Sequence, residues 1–204
     1  MDGPMRANGT RERILATARR LLGKEGPKAV SFDAIARQMG VSKQAVLYWF
    51  PSRPDLLAAM FVPWLELESE TAEGALAEAT TRADAVAAFV RAVAAFHLSD
   101  LDRFRMMYLA LQMAGSRRHG RPKDTLASRI HPVTDRLYSA LEAKLGEGRD
   151  GARAEAAAIH AAVLGMVMMI ALGNSLNDPL KHSNESMTDA LIAAFTTGGH
   201  HPPR

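Results

Sequence analysis

Residues 31–50 read SFDAIARQMGVSKQAVLYWF, and this stretch decides the fold of the N-terminal part of the chain. Two short helices are predicted on either side of Gly40, and each is preceded by a serine that can cap it, Ser31 or Ser42. Two helices joined by so tight a turn must cross at a steep angle, and the small Ala36 suits the point of closest approach. The pattern therefore predicts a helix-turn-helix.

The apolar residues of this stretch have the spacing that a miniature core requires. We predict that core to consist of Ile35, Met39, Val41, Val46 and Trp49. The second helix then turns one stripe inward, consisting of Ala45, Val46, Trp49 and Phe50, and leaves the rest outside. Its exposed first turn carries Lys43 and Gln44, which suit the acceptors of guanine and the edge of adenine respectively.

Phosphate contacts are predicted around these base contacts. Tyr48 can donate to a phosphate, and Ser31 and Ser42 can do the same beside free helix N-terminal amides. Arg53 follows at the start of the next helix, where it can meet the DNA backbone. The predicted DNA-binding residues are Ser31, Ser42, Lys43, Gln44, Ala45, Leu47, Tyr48 and Arg53.

Charge is unevenly distributed along the 204 residues, although the formal net charge is only +3. Residues 1–55 contain 10 Lys and Arg against 5 Asp and Glu, whereas the remainder contains 15 against 17. A basic head on a mildly acidic body is typical of a protein whose head meets phosphates.

The whole chain has helical periodicity and no strand pattern, so we predict an all-α fold. A helix-turn-helix domain over 8–56 contains three helices, and a helical domain over 57–204 follows it. Outside the motif, helices are predicted over 11–22 with Thr10 as its cap, from just after Pro51 to about 79, and over 84–97, 100–114, 152–172 and 185–195. A further helix, either interrupted or started by Pro132, is predicted to end near Leu145. The first ten residues are predicted to be loose.

The segment from Thr10 to Leu57 resembles the tetracycline-repressor (TetR) family of regulators. The matching residues are Thr10, Arg11, Ile14, Leu15, Gly26, Ile35, Ala36, Gly40, Val41, Ser42, Tyr48, Trp49, Phe50, Ser52, Arg53, Leu56 and Leu57. Two departures occur: Leu47 stands where the family often has Tyr, and Arg53 where it often has Lys. We therefore assign the aromatic phosphate contact to Tyr48.

The resemblance implies about nine helices, a dimer built on the last two, and release of DNA when a small molecule enters the C-terminal domain. Aromatic and methionine side chains of that domain suit a mostly apolar effector. The predicted pocket residues are Phe61, Trp64, Phe89, Phe96, His97, Phe104, Met107, Tyr108, Leu111, His131 and Met166. For any single methionine, a plain core position is the commoner interpretation.

The helix predicted over 152–172 is apolar on all sides, so one face can pack on its own domain and another on a second copy. We interpret it as a buried helix and not as a membrane span, because it is short and rich in alanine. The predicted dimer interface consists of Ala157, His160, Ala161, Leu164, Met168, Ala171, Leu191, Ile192 and Phe195.

Other chemistry finds little support in the sequence. There is no cysteine, no His-Glu-x-x-His motif and no Gly-rich phosphate loop, so we expect no metal, no cofactor and no catalytic residue. A ligand-responsive repressor that binds a palindromic operator as a homodimer in the cytoplasm is the leading hypothesis. A helical sensor or carrier whose head binds a protein is the alternative, and a small enzyme is third. The effector, the target genes and the direction of the response stay open.

Overall fold

A computed structural model of the chain describes residues 4–109, 126–146, 148–178 and 182–197. Over these ranges the elements are helical and no strand occurs, which confirms the all-α prediction. The helices are α1 (Pro4–Glu25), α2 (Phe32–Met39), α3 (Lys43–Trp49), α4 (Arg53–Ala77), α5 (Arg82–Leu98), α6 (Leu101–Phe104), α7 (Leu126–Gly146), α8 (Ala152–Leu176) and α9 (Asn184–Thr197). A 3-10 turn, Pro27–Ala29, precedes α2, and the π-helical segment Arg105–Leu109 continues α6.

The chain divides into two compact units. Unit 1 comprises Met1–Leu65 and Asp102–Pro132, and unit 2 comprises Glu66–Leu101 and Val133–Arg204. The two units divide inside α4 and inside α7, and not at residue 56. The boundary at residue 56 therefore remains a prediction of which residues form the DNA-binding domain.

Unit 1 has its own core, in which apolar faces of α1, α2 and α3 meet the first half of α4. Ala36 is buried at 5% exposure, as expected for a small residue in the miniature core, and Ile35 and Val46 are fully buried beside it. Val41 is exposed, so its predicted core position is wrong. The buried residues of this cluster are Ile14, Leu15, Ala18, Leu21, Leu22, Val30, Ile35, Ala36, Val46, Phe50, Leu56, Met60, Phe61 and Met107.

Local capping chemistry fixes the ends of α2 and α3. The hydroxyl oxygens of Ser31 and Ser42 accept hydrogen bonds from the amides of Ala34 and Ala45, at 3.1 and 3.2 Å. Gly40 ends α2 in the left-handed region at φ 68°, where a side chain would be strained. Both helices therefore begin where the sequence predicted.

The predicted start of α1 was wrong. The helix begins at Pro4, so Thr10 lies inside it and cannot cap it, and the residues from 4 to 10 are not loose. The helix also passes through Gly23 to Glu25, because nothing in a lone glycine prevents helix continuation. Of the helix predicted over 100–114, only the part to Leu109 falls in the described residues, and it is interrupted by the π-helical segment.

Unit 2 is built from the second half of α4, α5, most of α7, and α8 and α9. Its core contains Val86, Phe89 and Val93 of α5 against Ile159 and Val163 of α8, all fully buried. Helices α5, α8 and α9 contact one another. By length and composition, α8 is long and apolar enough to cross a membrane, and 44% of its most apolar window is buried within the fold.

Candidate nucleic-acid interface and buried polar cluster

The recognition helix α3 exposes the side chains of its first turn. Lys43, Gln44 and Ala45 are exposed, Val46 is fully buried, and Leu47 is half-buried. The prediction that Ala45 faces inward was wrong, because the buried stripe of so short a helix is carried by Val46 and by Phe50, which follows its last residue. The exposed turn offers one cation and one amide to a partner.

Tyr48 is the most exposed large side chain of this region, at 79% exposure. Its ring meets the ring of Trp49 edge to face at 5.4 Å, so the phenol stands on a half-buried aromatic support. A hydroxyl held out from the surface in this way can donate to a phosphate.

Lys43 has an ion-pair partner within the helix-turn-helix that was not predicted from the sequence. Its ammonium Nζ lies 2.9 Å from Oδ2 of Asp33, in the first turn of α2, and both side chains are exposed. Asp33 and Lys43 are ten residues apart and lie on different helices, so helical periodicity does not predict their contact. The crossing of the two helices brings them together.

Each of the two capping serines still has its O–H donor available for a ligand. Each hydroxyl oxygen accepts from a backbone amide of its own helix, so the O–H group of Ser31 or Ser42 can still donate. Capping and phosphate contact are therefore compatible at these residues.

The start of α4 is tied to two neighbouring segments. The Ser52 hydroxyl accepts from the Asp55 amide at 3.3 Å and donates to its carboxylate at 2.6 Å. Asp55 also pairs with Arg129 of α7, and the exposed Arg53 donates to the carbonyl of Pro27 at 3.4 Å. The Arg53 side chain is thus placed beside the turn that precedes α2.

This helical head matches a known family model. Residues 14–60 match the model described as bacterial regulatory proteins, tetR family. This segment is therefore a tetR-family helix-turn-helix segment. The match covers the helix-turn-helix and its flanking helices, and the sequence resemblance to this family is confirmed. No curated protein matches the sequence significantly.

Solved structures resemble the chain over almost its whole length. FadR from Bacillus subtilis, in complex with stearoyl-CoA, has 17% identity and a TM-score of 0.67, covering 93% of this chain and 99% of its own. PfmR from Thermus thermophilus has 19% identity and a TM-score of 0.64, covering 95% and 98%. A protein from Saccharomonospora viridis in complex with choline has 21% identity and a TM-score of 0.62, covering 92% and 96%. At these identities the likeness establishes the fold.

The residues predicted to line an effector pocket are divided between the two units of the chain. Phe89, Phe96, His97 and Met166 belong to unit 2. His131 is exposed, which does not fit its predicted place in an apolar pocket, and Leu111 lies outside the described residues. The other predicted pocket residues belong to unit 1, where all but Trp64 and Tyr108 are buried: Phe61, Trp64, Phe104, Met107 and Tyr108.

A polar cluster lies in the core of unit 2. Oε1 of Glu68, on α4, is 3.0 Å from Nε2 of His97 on α5 and 2.9 Å from Nε2 of His160 on α8. The hydroxyl of Tyr138, on α7, is 3.2 Å from Nδ1 of His160. Glu68, His97 and His160 are each at most 3% exposed. We call these four residues the Glu68 cluster, and it connects four helices of the unit.

Hydrogen bonds keep the Glu68 carboxylate ionised. Burial alone would raise its pKa, but the hydrogen bonds from His160 and His97 outweigh that effect and lower the pKa to about 2. Because the carboxylate accepts from both rings, we assign Nε2–H to each histidine, which leaves Nδ1 of His160 to accept from Tyr138. Among the described residues no group of three or more His, Cys, Asp or Glu has the arrangement of a metal site.

The predicted dimer residues lie on α8 and α9, and those of α8 differ in exposure. His160 and Ala171 are buried inside unit 2, so the structure corrects their placement on an outer face. Ala161 and Met168 are exposed, together with Met169, Leu172 and Leu176, which the sequence analysis did not select. The half-buried members of the predicted set are Ala157, Leu164, Leu191, Ile192 and Phe195.

An open groove of about 500 Å³ lies in unit 1 beside the end of α3. Its lining includes Trp49, Phe50 and Ala58 together with Arg11 and Arg129. It shares no residue with the predicted effector pocket.

Proposed function

We propose that the chain is a repressor that binds a palindromic operator as a homodimer. The observation that carries the proposal is the exposed first turn of α3, where Lys43 and Gln44 stand clear of a recognition helix anchored by the buried Val46. An N-terminal turn of this kind is the part of a helix-turn-helix that reads base edges in the major groove. We place the protein in the cytoplasm, with the DNA, and assign it no catalytic activity.

The exposed apolar face of α8 supports the dimer. Met168, Met169, Leu172 and Leu176 are between 44% and 69% exposed on one helix. A cluster of large apolar side chains at this exposure marks an interaction surface. A second copy packed on this face would relate the two heads by a two-fold axis, so they would require inverted half-sites about one helical turn or somewhat more apart.

We further propose that a small, mostly apolar molecule releases the operator. The FadR and Saccharomonospora viridis structures contain stearoyl-CoA and choline, so two proteins of this fold were solved with small organic ligands. Among the residues predicted for the pocket, Phe89, Phe96 and Met166 lie in unit 2 and would supply part of an apolar lining there, and His97 would supply a hydrogen-bonding group. Binding would favour a conformation in which the two heads no longer match their half-sites.

Selection from a library of randomised duplex DNA tests the proposal. The full chain should enrich an inverted repeat, and fluorescence anisotropy with that duplex should give a stoichiometry of two chains or a multiple of two. Failure of the folded protein to enrich any sequence would contradict DNA reading and favour the alternative in which the head binds a protein. Addition of the true effector should lower the anisotropy, whereas a rise would indicate a co-repressor.

A further inference from the structure

The recognition surface contains a carboxylate as well as a cation. Asp33 lies in the first turn of α2 and contacts the Lys43 ammonium at 2.9 Å, and both side chains are largely in solvent. Every phosphate of a duplex repels such a carboxylate, so it lowers affinity for all DNA. Because Asp33 lowers the affinity for DNA at a surface that reads DNA, we ask what benefit its carboxylate provides there.

We propose that Asp33 is a specificity-determining residue that positions Lys43 for a base and withholds it from phosphates. The inference rests on the proposed DNA-reading function of α3. An ammonium has three donors, so Lys43 can keep Asp33 as a partner while donating to O6 or N7 of a guanine.

Two physical effects make this arrangement selective. A free lysine side chain has many rotamers, and the contact with Asp33 restricts them before DNA arrives, so less conformational entropy is lost on binding the correct base. On a wrong sequence, a contact between Lys43 and a phosphate brings that phosphate close to the Asp33 carboxylate, which repels it, whereas a neutral base acceptor is not repelled in this way. The carboxylate therefore weakens binding to wrong sequences more than binding to the operator.

The test compares Asp33→Asn with the parent on two duplexes, the operator enriched from the random library and a shuffled duplex of the same composition. Asparagine keeps the shape and removes the charge. Affinity for the shuffled duplex should rise about twofold to fivefold, the range expected for an exposed ion pair, while affinity for the operator rises less or falls. The ratio of the two dissociation constants should therefore shrink.

Two further measurements separate positioning from bulk charge. Releasing Lys43 to a phosphate should steepen the plot of log Kd against log salt on the shuffled duplex by about one unit. Glu12→Gln is the matched control, because it removes one exposed carboxylate from the same unit, where Glu12 pairs with Arg11. It should change both affinities by the same factor and leave their ratio unaltered.

A double-mutant cycle assigns the effect to Lys43. In a Lys43→Ala background, Asp33→Asn should no longer change the ratio. Asp33→Ser repeats the test if the asparagine variant is less stable. If the parent enriches an operator but Asp33→Asn raises both affinities equally, this inference is overturned and DNA reading stands. If the parent enriches nothing, the proposed function fails first.

Discussion

At the scale of single residues, the head separates groups that can read bases from groups that can only grip phosphates. Lys43 and Gln44 project from the first turn of α3, whereas Tyr48 lies one turn further along and Arg53 beside the turn before α2. Contacts to bases carry sequence information and contacts to phosphates do not. The two groups should therefore respond differently to substitution.

Lys43→Ala and Gln44→Ala should each weaken operator binding by about 1–3 kcal/mol and relax the preference at one base pair. Tyr48→Phe and Arg53→Ala should weaken binding to operator and shuffled duplex by similar factors. Anisotropy titrations on both duplexes measure the difference. Parent-like operator affinity in all four variants would show that α3 is not the reading element.

The Glu68 carboxylate leads to a prediction about pH. Its pKa in the folded protein is about 2, below its ordinary value near 4.5, so its ionised form stabilises the fold. That contribution is fully present above pH 4.5 and is lost as the pH falls towards 2. The shift corresponds to roughly 3 kcal/mol of unfolding free energy.

Urea unfolding of the parent and Glu68→Gln from pH 7 to pH 2.5 measures this contribution. The stability difference between the two proteins should shrink as the pH falls from about 4.5 towards 2.5. Glu70→Gln, at an exposed position on the same helix, is the control and should show little difference at any pH. A difference for Glu68→Gln that does not depend on pH would mean that its carboxylate is not held by the histidines.

At the scale of elements, the crossing of α2 and α3 depends on the volume at Ala36. Ala36→Leu adds three carbons to a buried position and should force the two helices apart at a cost of about 1–3 kcal/mol. Operator binding should be lost while the helical signal of unit 2 persists in circular dichroism. Met39→Leu, a change at nearly constant volume, should retain operator binding, and normal binding by Ala36→Leu would show that the crossing tolerates volume.

Elements with local causes could be predicted from the sequence, and elements with distant causes could not. The starts of α2 and α3 follow from Ser31 and Ser42, each of which caps an amide three residues away. Glu68 and His160 are 92 residues apart, so only folding brings them together. His97 and His160 can be noticed in the sequence because each is a single polar residue in an apolar stretch. Glu68 cannot be singled out in the same way, because it stands among other acidic residues of α4.

At the scale of the whole molecule, the distribution of apolar surface indicates where a second copy binds. The predicted interface combined buried and exposed positions of α8, because periodicity alone cannot say which face of a uniformly apolar helix is turned outward. Packing of α8 in unit 2 buries His160 and Ala171 of the predicted set and leaves Met168 exposed beside Leu172. The dimer itself stays a prediction, now placed on the exposed face of α8.

Leu172→Glu tests that placement against Leu67→Glu, since the two leucines are 48% and 46% exposed and the charge change is the same. If the exposed face of α8 is the interface, Leu172→Glu buries an unpaired carboxylate between two copies, which the dimer cannot tolerate. Analytical ultracentrifugation should then give a dimer for the parent and for Leu67→Glu, and a monomer for Leu172→Glu. Operator affinity should fall in the monomer although the head is unchanged, because two linked heads hold an inverted repeat far more tightly than one. A parent that is monomeric at micromolar concentration, yet binds an inverted repeat tightly, would refute this assembly.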